Sequence, residues 1–397
     1  MRTVYFDNAA STPVDPRVRE EMLPYLGEAF GNPSSLHTPG RQAREAIENA
    51  RSRIAKLVGA SRPEEVIFTS GGTESNNLAL KGTAYAQRRR GRHIVTTQIE
   101  HDCVLHSAAW LELQGFQVTY LGVDADGLVR PADLDAALRD DTILVSVMHA
   151  NHEVGTVEPI RDLARICSDR GVAFHTDACQ SFGKLPIDVQ KDRLDLVTLN
   201  SHKIYGPKGV GALFVRNTVP IEPWQHGGGH EFGLRSSTEN VAGIVGFAKA
   251  AELCEEERFR EIPRLTGLRD RIIDSVLEGH PGAYLNGHRR RRLPTNANLG
   301  FQGLEGEAIS LLLRLDERGI AVATGSACSS RQGDQPSHVL LALGRDPVQA
   351  RGALRVTLGR FNTADDVGYL LEELTAALGS LRSISSVTPA TPVPGGT

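Results

Sequence analysis

Four places in this 397-residue chain put reactive residue types where they can be used. The stretch TGSACSSRQG, residues 324–333, sets Cys328 among glycine, alanine and serine. Nothing there builds a core. Small polar residues suit a mobile surface loop, and an exposed thiol reacts through its thiolate. In LNSHKIYGPKGVGAL, Lys203 follows a histidine at a strand end, ahead of a Gly-Pro-Lys-Gly turn. A desolvated amine at such a point can form a Schiff base. In VAFHTDACQ, Asp177 closes an apolar run, where an unpaired carboxylate is costly; it either caps a turn or holds a protonated ring nitrogen. In FTSGGTESNN, two glycines let the backbone approach a ligand closely. Ser70 or Thr73 can cap the following helix and leave its free N–H groups facing a phosphate.

Taken singly, each has an ordinary structural explanation: a surface cysteine, a solvated turn lysine, a turn-capping aspartate, a helix start. Together, a phosphate nest, a buried Asp and a strand-end Lys are the parts needed to hold pyridoxal phosphate.

The elements that must position these groups are legible as short apolar runs. EVIFTS, HIVTTQI, QVTYLGV, TILVSVMHA, VAFHTDA, LDLVTLN and VGALFVR read as buried strands. Amphipathic segments such as NNLALKGTAYAQRR and IRDLARICSDRG lie between several of them. This alternation predicts an α/β fold, a mainly parallel sheet with helices on both faces, with VGALFVR pairing antiparallel. Ligands of such sheets sit beyond the carboxyl ends of the strands, where the polar clusters fall. After about Ala251 the texture changes to a charged helical stretch, short strands around TNANLGF, IAVATG and LRVTLGRF, and a last helix in TADDVGYLLEELTAAL. A smaller C-terminal α+β domain is expected there. The division read from the chain is an N-terminal segment 1–15, a large domain 16–255, a small domain 256–382 and a Ser/Thr/Pro/Gly-rich disordered tail 383–397.

Composition is that of a globular protein, 40% hydrophobic and 23% charged. A net charge of -4 gives no field that points to nucleic acid or membrane; the basic runs QRRRGRH and HRRRR read as solvated turns or helix ends. The start MRTVYFDNAAST has no apolar signal core, and no apolar run approaches the roughly 18 residues of a membrane span. The cysteines, Cys103, Cys167, Cys179, Cys254 and Cys328, are odd in number and irregularly spaced. That argues against a disulfide framework or a metal site and for a cytoplasmic location.

The motifs YFDNAASTPVDP, GNPSSLH, FTSGGTESNN, EHDCVLH, VSVMHANHEVGTVEPI, FHTDACQSFGKLPID, SHKIYGPKGVGA, GGGHEFGLRSSTEN, GSACSS and LRVTLGRFNT follow one another along nearly the whole chain. In them the sequence resembles the cysteine desulfurases, the class V branch of the fold-type I pyridoxal-phosphate enzymes. The resemblance implies that Lys203 forms the Schiff base, Asp177 pairs with the pyridine nitrogen and Gln180 hydrogen-bonds the ring hydroxyl. It implies that His101 stacks on the ring and moves protons, and that Gly72, Thr73, Asn200 and His202 stand at the phosphate. Thr238 matches a threonine that reaches the phosphate of the neighbouring subunit, which implies a homodimer. Asn151, also at the cofactor, and Arg355 match groups that hold the substrate carboxylate, and Asn8 and Ala9 line the same pocket.

Cys328 then matches the nucleophile that takes sulfur from L-cysteine, leaving L-alanine, and passes it from a persulfide to an acceptor protein. GSAC resembles the subgroup with the longer active-site loop. Three positions depart from the family pattern: Asn200 stands where serine is common, Ser237 where glycine is frequent, and Cys103 where a cysteine is unusual. Cys103 and Cys179 read as packing residues or as secondary thiols near the cofactor. A selenocysteine lyase or an aminotransferase on the same scaffold is the alternative activity. A partner-binding scaffold without catalysis would not need Lys203, Asp177, His101 and Cys328 together.

Overall fold

The computed structural model describes residues 2–324 and 335–384. Within them the strands are β1 (Val4–Tyr5), β2 (Val66–Thr69), β3 (His93–Thr97), β4 (Gln117–Leu121), β5 (Thr142–Ser146), β6 (Ala173–Asp177) and β7 (Leu196–Asn200). They continue with β8 (Gly211–Val215), β9 (Ala283–Leu285), β10 (Asn296–Phe301), β11 (Ile320–Ala321), β12 (Ala323–Thr324) and β13 (Leu354–Thr357).

Every run read as a buried strand joins one seven-stranded sheet, in the order β2-β8-β7-β6-β5-β3-β4. β3, β5, β7 and β8 are buried at every residue, as expected where helices cover both faces. β4, with Gln117 exposed, forms the edge. β3, β4, β5, β6 and β7 run parallel to one another where they pair. β8 runs antiparallel to both β7 and β2, pairing Asn200 with Gly211. The α/β class and the antiparallel VGALFVR are therefore as expected. One face packs Ile54, Phe174, Phe214 and Phe247; the other packs Leu80, Ile94, Leu111 and Leu213.

A second sheet, β12-β13-β10-β9, is wholly antiparallel and closes over Phe6, Ile272, Phe301 and Leu370. The helix Val241–Gly279 runs from the large core to this one, so the boundary expected between 255 and 256 falls inside a continuous helix. The N-terminal segment belongs to the small sheet's side. β1 pairs parallel with β11, and Phe6 is fully buried. The C-terminal helix Ala364–Ile384 carries the chain past residue 382; the rest of the expected tail lies outside the described residues. Among the described residues no helix is long and apolar enough to cross a membrane.

Candidate active site

The turn that follows β7 is stapled by a distant part of the chain. Thr12 donates from its amide (2.9 Å) and its hydroxyl (3.0 Å) to the carbonyl of His202. The Thr12 hydroxyl accepts from the amide of Tyr205 at 2.8 Å, and Asp15 N–H reaches the Tyr205 carbonyl at 3.0 Å. Tyr205 has φ of 69°, a left-handed conformation that costs a residue with a Cβ about 1–2 kcal/mol, and these bonds hold it there. Lys203 is thereby fixed on the wall of a cavity of about 210 Å³. One water needs only about 10–15 Å³, so the cavity is sized for a small organic ligand. Lys203 Nζ makes no hydrogen bond or ion pair with any described residue.

Asp177 ends β6 at the same cavity. Its Oδ1 accepts from the amide of Cys179 at 2.8 Å, and its Oδ2 from Asn76 Nδ2 at 2.7 Å. Burial pushes its pKa up, but the Cys179 amide and thiol, Asn76 and His101 outweigh burial and hold the carboxyl below the usual range. The result is a buried carboxylate without a cationic hydrogen-bond partner among the described residues, at the cavity wall.

Gly72 opens the helix Gly72–Asn77 directly after β2. A Cβ there would stand 2.5 Å from Cys179 Sγ, so only glycine lets this turn lie against the Asp177 loop. Ser70 N–H donates to Glu74 at 2.8 Å, and Glu74 pairs with Arg235 at 2.7 Å, which ties the turn to the RSSTEN segment. Thr73 and Asn200 complete this wall. His202 lies beside them and is held to about 4 by burial, reinforced by Lys203, Lys208 and Lys184; it is neutral at neutral pH.

His101 caps the helix Asp102–Leu113 after β3, its Nδ1 accepting from the amide of Cys103 at 3.2 Å. Burial, then the charge of Lys203, lowers its pKa below the usual histidine value. His152 packs edge-on against it, with ring centres 5.3 Å apart.

The opposite wall comes from the small sheet. Arg355 on β13 is buried; its Nη2 pairs with Asp7 Oδ1 at 3.0 Å and its Nη1 donates to the His152 carbonyl at 3.1 Å. Burial pushes the Asp7 carboxyl up despite this partner. Ala9 and Gln180 meet across the seam, Gln180 Nε2 donating to the Ala9 carbonyl at 3.0 Å.

Ala9, Gly72, Thr73, His101, Asp177, Gln180, Asn200, His202, Lys203 and Arg355 thus share one cavity. Asn8 and Asn151 do not line it. Asn8 Nδ2 is spent on the Thr357 carbonyl at 2.8 Å. Asn151 is fully buried; its Oδ1 accepts from the amides of Glu153 and Val154, and its Nδ2 donates to the Ile99 carbonyl. Both side chains are taken up by backbone groups, as a buried amide beside bare N–H and C=O groups satisfies those first. Thr238 is exposed and does not line the cavity. Cys328 lies outside the described residues. The sequence reading missed Asp7, Asn76 and His152. Asn76 had a signal, a polar residue at a helix position that must be buried; Asp7 and His152 had none short of the fold.

The residues present fit pyridoxal phosphate. Asn200 Oδ1 and Arg355 Nε are buried without a hydrogen-bond partner among the described residues. Asp177 suits a protonated ring nitrogen, the unpaired Lys203 amine an aldehyde, and the glycine turn the close approach of a phosphate.

The family profile described as Aminotransferase class-V matches residues 4–370. The chain belongs to the class-V aminotransferases. Among members of this family, the cysteine desulfurase IscS of Dictyoglomus turgidum is 51% identical over 384 residues, covering 97% of this chain and 96% of that protein. Cysteine desulfurase IscS 1 of Archaeoglobus fulgidus is 51% identical over 381 residues, 96% and 98% of the two chains. Among solved structures, a NifS-like protein superposes with a TM-score of 0.89 at 39% identity, over 96% of this chain and 100% of its own. A structure described as SspA in complex with cysteine superposes with a TM-score of 0.80 at 38% identity, over 91% and 100%. This class-V chain shares their fold over nearly its full length.

Proposed function

We propose that this class-V enzyme is a pyridoxal-phosphate-dependent cysteine desulfurase: it converts L-cysteine to L-alanine and takes the sulfur onto Cys328 as a persulfide. The observation that carries the reading is one cavity holding an unpaired Lys203, an ionised Asp177, a neutral His101 and a buried Arg355 with a free Nε. Near-full-length identity of 51% to a cysteine desulfurase supports it.

When bound, pyridoxal phosphate supplies the electron sink for the pair released at the substrate Cα. Lys203 would hold it, Asp177 would keep its ring nitrogen protonated, and Gly72, Thr73, Asn200 and His202 would stand at its phosphate. Lys203 Nζ, free of hydrogen-bonding partners among the described residues, takes the Cα proton. Arg355 binds the substrate carboxylate, its planar fork matching the two oxygens. Cys328 attacks the substrate sulfur as a thiolate; the new S–S bond forms as the substrate's Cβ–S bond breaks, the electron pair stays on Cβ, which takes a proton, and alanine leaves. The sulfur then passes to an acceptor protein. Thr238, exposed on its own chain, serves the cavity of a second copy in a homodimer. The assembly works in the cytoplasm.

Reconstituted enzyme should be yellow and release alanine from L-cysteine. Alanine from L-selenocysteine alone, or amino transfer to a keto acid with Cys328→Ser fully active, would place it with a different activity on this scaffold.

A further inference from the structure

Cys103 lines the cavity, yet no step of the proposed reaction uses it. Burial pushes its thiol up to about 12, so at neutral pH it is a hydrogen-bond donor and no nucleophile. We propose that Cys103 is a positioning residue: with Asn76 it ties Asp177 to His101, and it holds His101 as a neutral ring whose proton sits on Nε2.

The chain of contacts has one consistent direction. The two N–H bonds of the Asn76 amide are shared between Asp177 Oδ2 at 2.7 Å and Cys103 Sγ at 3.1 Å. The sulfur accepts on that side, where the Thr73 side chain also bonds to it, and offers its own hydrogen on the other, where His101 Nδ1 lies 3.1 Å away. The backbone N–H of Cys103 also donates to Nδ1, at 3.2 Å, as the cap of a 12-residue helix. A proton on Nδ1 would displace both donors and face the positive end of that helix. The neutral ring must then carry its proton on Nε2. The other titratable groups facing His101 are Lys203 and His338, which oppose a positive ring, and Asp177 and Asp102, which favour it, with His152 packed edge-on against it. The two donors on Nδ1 act with the first set. His101 is thereby a hydrogen-bond donor through Nε2 and a poor proton acceptor at Nδ1, which leaves the Cα proton to Lys203.

This inference rests on the desulfurase reading for its place in the reaction, but the state of the ring is readable without turnover. The test is a pH titration of ¹⁵N-histidine-labelled holoenzyme by NMR, with the His101 signal assigned by its loss in His101→Gln. The wild type should show the Nε2–H ring across the neutral range. Cys103→Val fills the space but cannot donate; its protonation midpoint should move upward, and kcat at neutral pH should fall about two- to tenfold, the worth of one hydrogen bond, with KM unchanged. Cys103→Ser keeps a donor and should stay near the wild type in both. A wild-type ring protonated on Nδ1 would overturn the proposal. So would a valine variant that titrates with the wild type while the serine variant departs, since the residue would then be packing alone. Wild-type enzyme that titrates as expected yet yields no alanine from L-cysteine would uphold the ring assignment and remove the reaction reading.

Discussion

Asp177 and Arg355 face the same cavity but are held there by different kinds of contact. Asp177 is fixed by the amide two residues ahead of it and by Asn76, which sits on the helix Gly72–Asn77 at the same end of one sheet. Arg355 is fixed by Asp7, 348 residues away, and by the carbonyl of His152, 203 residues away. The cofactor half of the cavity is built at the strand ends of a single sheet, with the N-terminal segment bracing the turn that carries Lys203. The substrate half exists only once the N-terminal segment, the small sheet and a loop of the large sheet have come together. Changes in the first half should therefore alter the cofactor, and changes in the second should alter substrate binding while the resting cofactor stays as it was.

Lys203→Ala is the severest test of the cofactor half. It should abolish turnover and the visible imine absorption of the resting enzyme. A normal band in that variant would move the attachment to another lysine, with Lys208 the nearest in sequence. Asp177→Asn follows. Losing a buried charge pair costs about 3–5 kcal/mol, so cofactor retention and Cα deprotonation should drop by roughly two to four orders of magnitude; rates within a few-fold of the wild type would end its role.

On the substrate half, Arg355→Ala should raise KM for L-cysteine about tenfold to a hundredfold, the worth of a charge-assisted hydrogen bond, with the resting spectrum unchanged. Asp7→Asn leaves the guanidinium but loosens it, and should raise KM by less. A spectral change in either variant, with KM intact, would dissolve the distinction between the halves.

The same difference explains what could be read from the chain alone. The strands, the antiparallel β8 and the residues Lys203, Asp177 and Gly72 were legible because chemistry and element end lie within a few residues of each other. The Asp7–Arg355 pair was not, since no local pattern links positions 348 apart. Asn8 and Asn151 carry the right chemistry, yet side-chain type does not say which way an amide points. Buried backbone groups claimed both. Cys103, read as packing or a second thiol, turns out to sit between Asn76 and His101, a placement set by the turn before the helix Asp102–Leu113.

The smallest expected effect compares two buried carboxylates. Glu100, close to the cofactor half, is pushed up to about 8 by burial, against hydrogen bonds from the Met148 amide and the Thr97 hydroxyl. The unfolded chain loses this proton near 4.5, so between there and about 8 the folded protein holds a proton the unfolded one lacks. The contribution of Glu100 to stability is full below the lower value and declines as pH rises. Glu100→Gln should therefore gain stability over the wild type at pH ~8 and little at pH ~4.5, read from urea unfolding midpoints. Asp177, held below its usual value, has the opposite sign: its contribution is present above the ordinary aspartate range and is lost on acidification. Parallel pH profiles for Glu100→Gln and wild type would show that Glu100 is ionised in the folded protein.

The central claim, that sulfur from L-cysteine is taken onto Cys328, is tested most directly by mass spectrometry of peptides from holoenzyme mixed with L-cysteine. The expected result is one added sulfur on the peptide carrying Cys328, with alanine released. Cys328→Ser should bind cofactor and still change its spectrum with cysteine, but release no alanine. Added sulfur on the Cys103 peptide, with Cys328→Ser still active, would contradict the assignment.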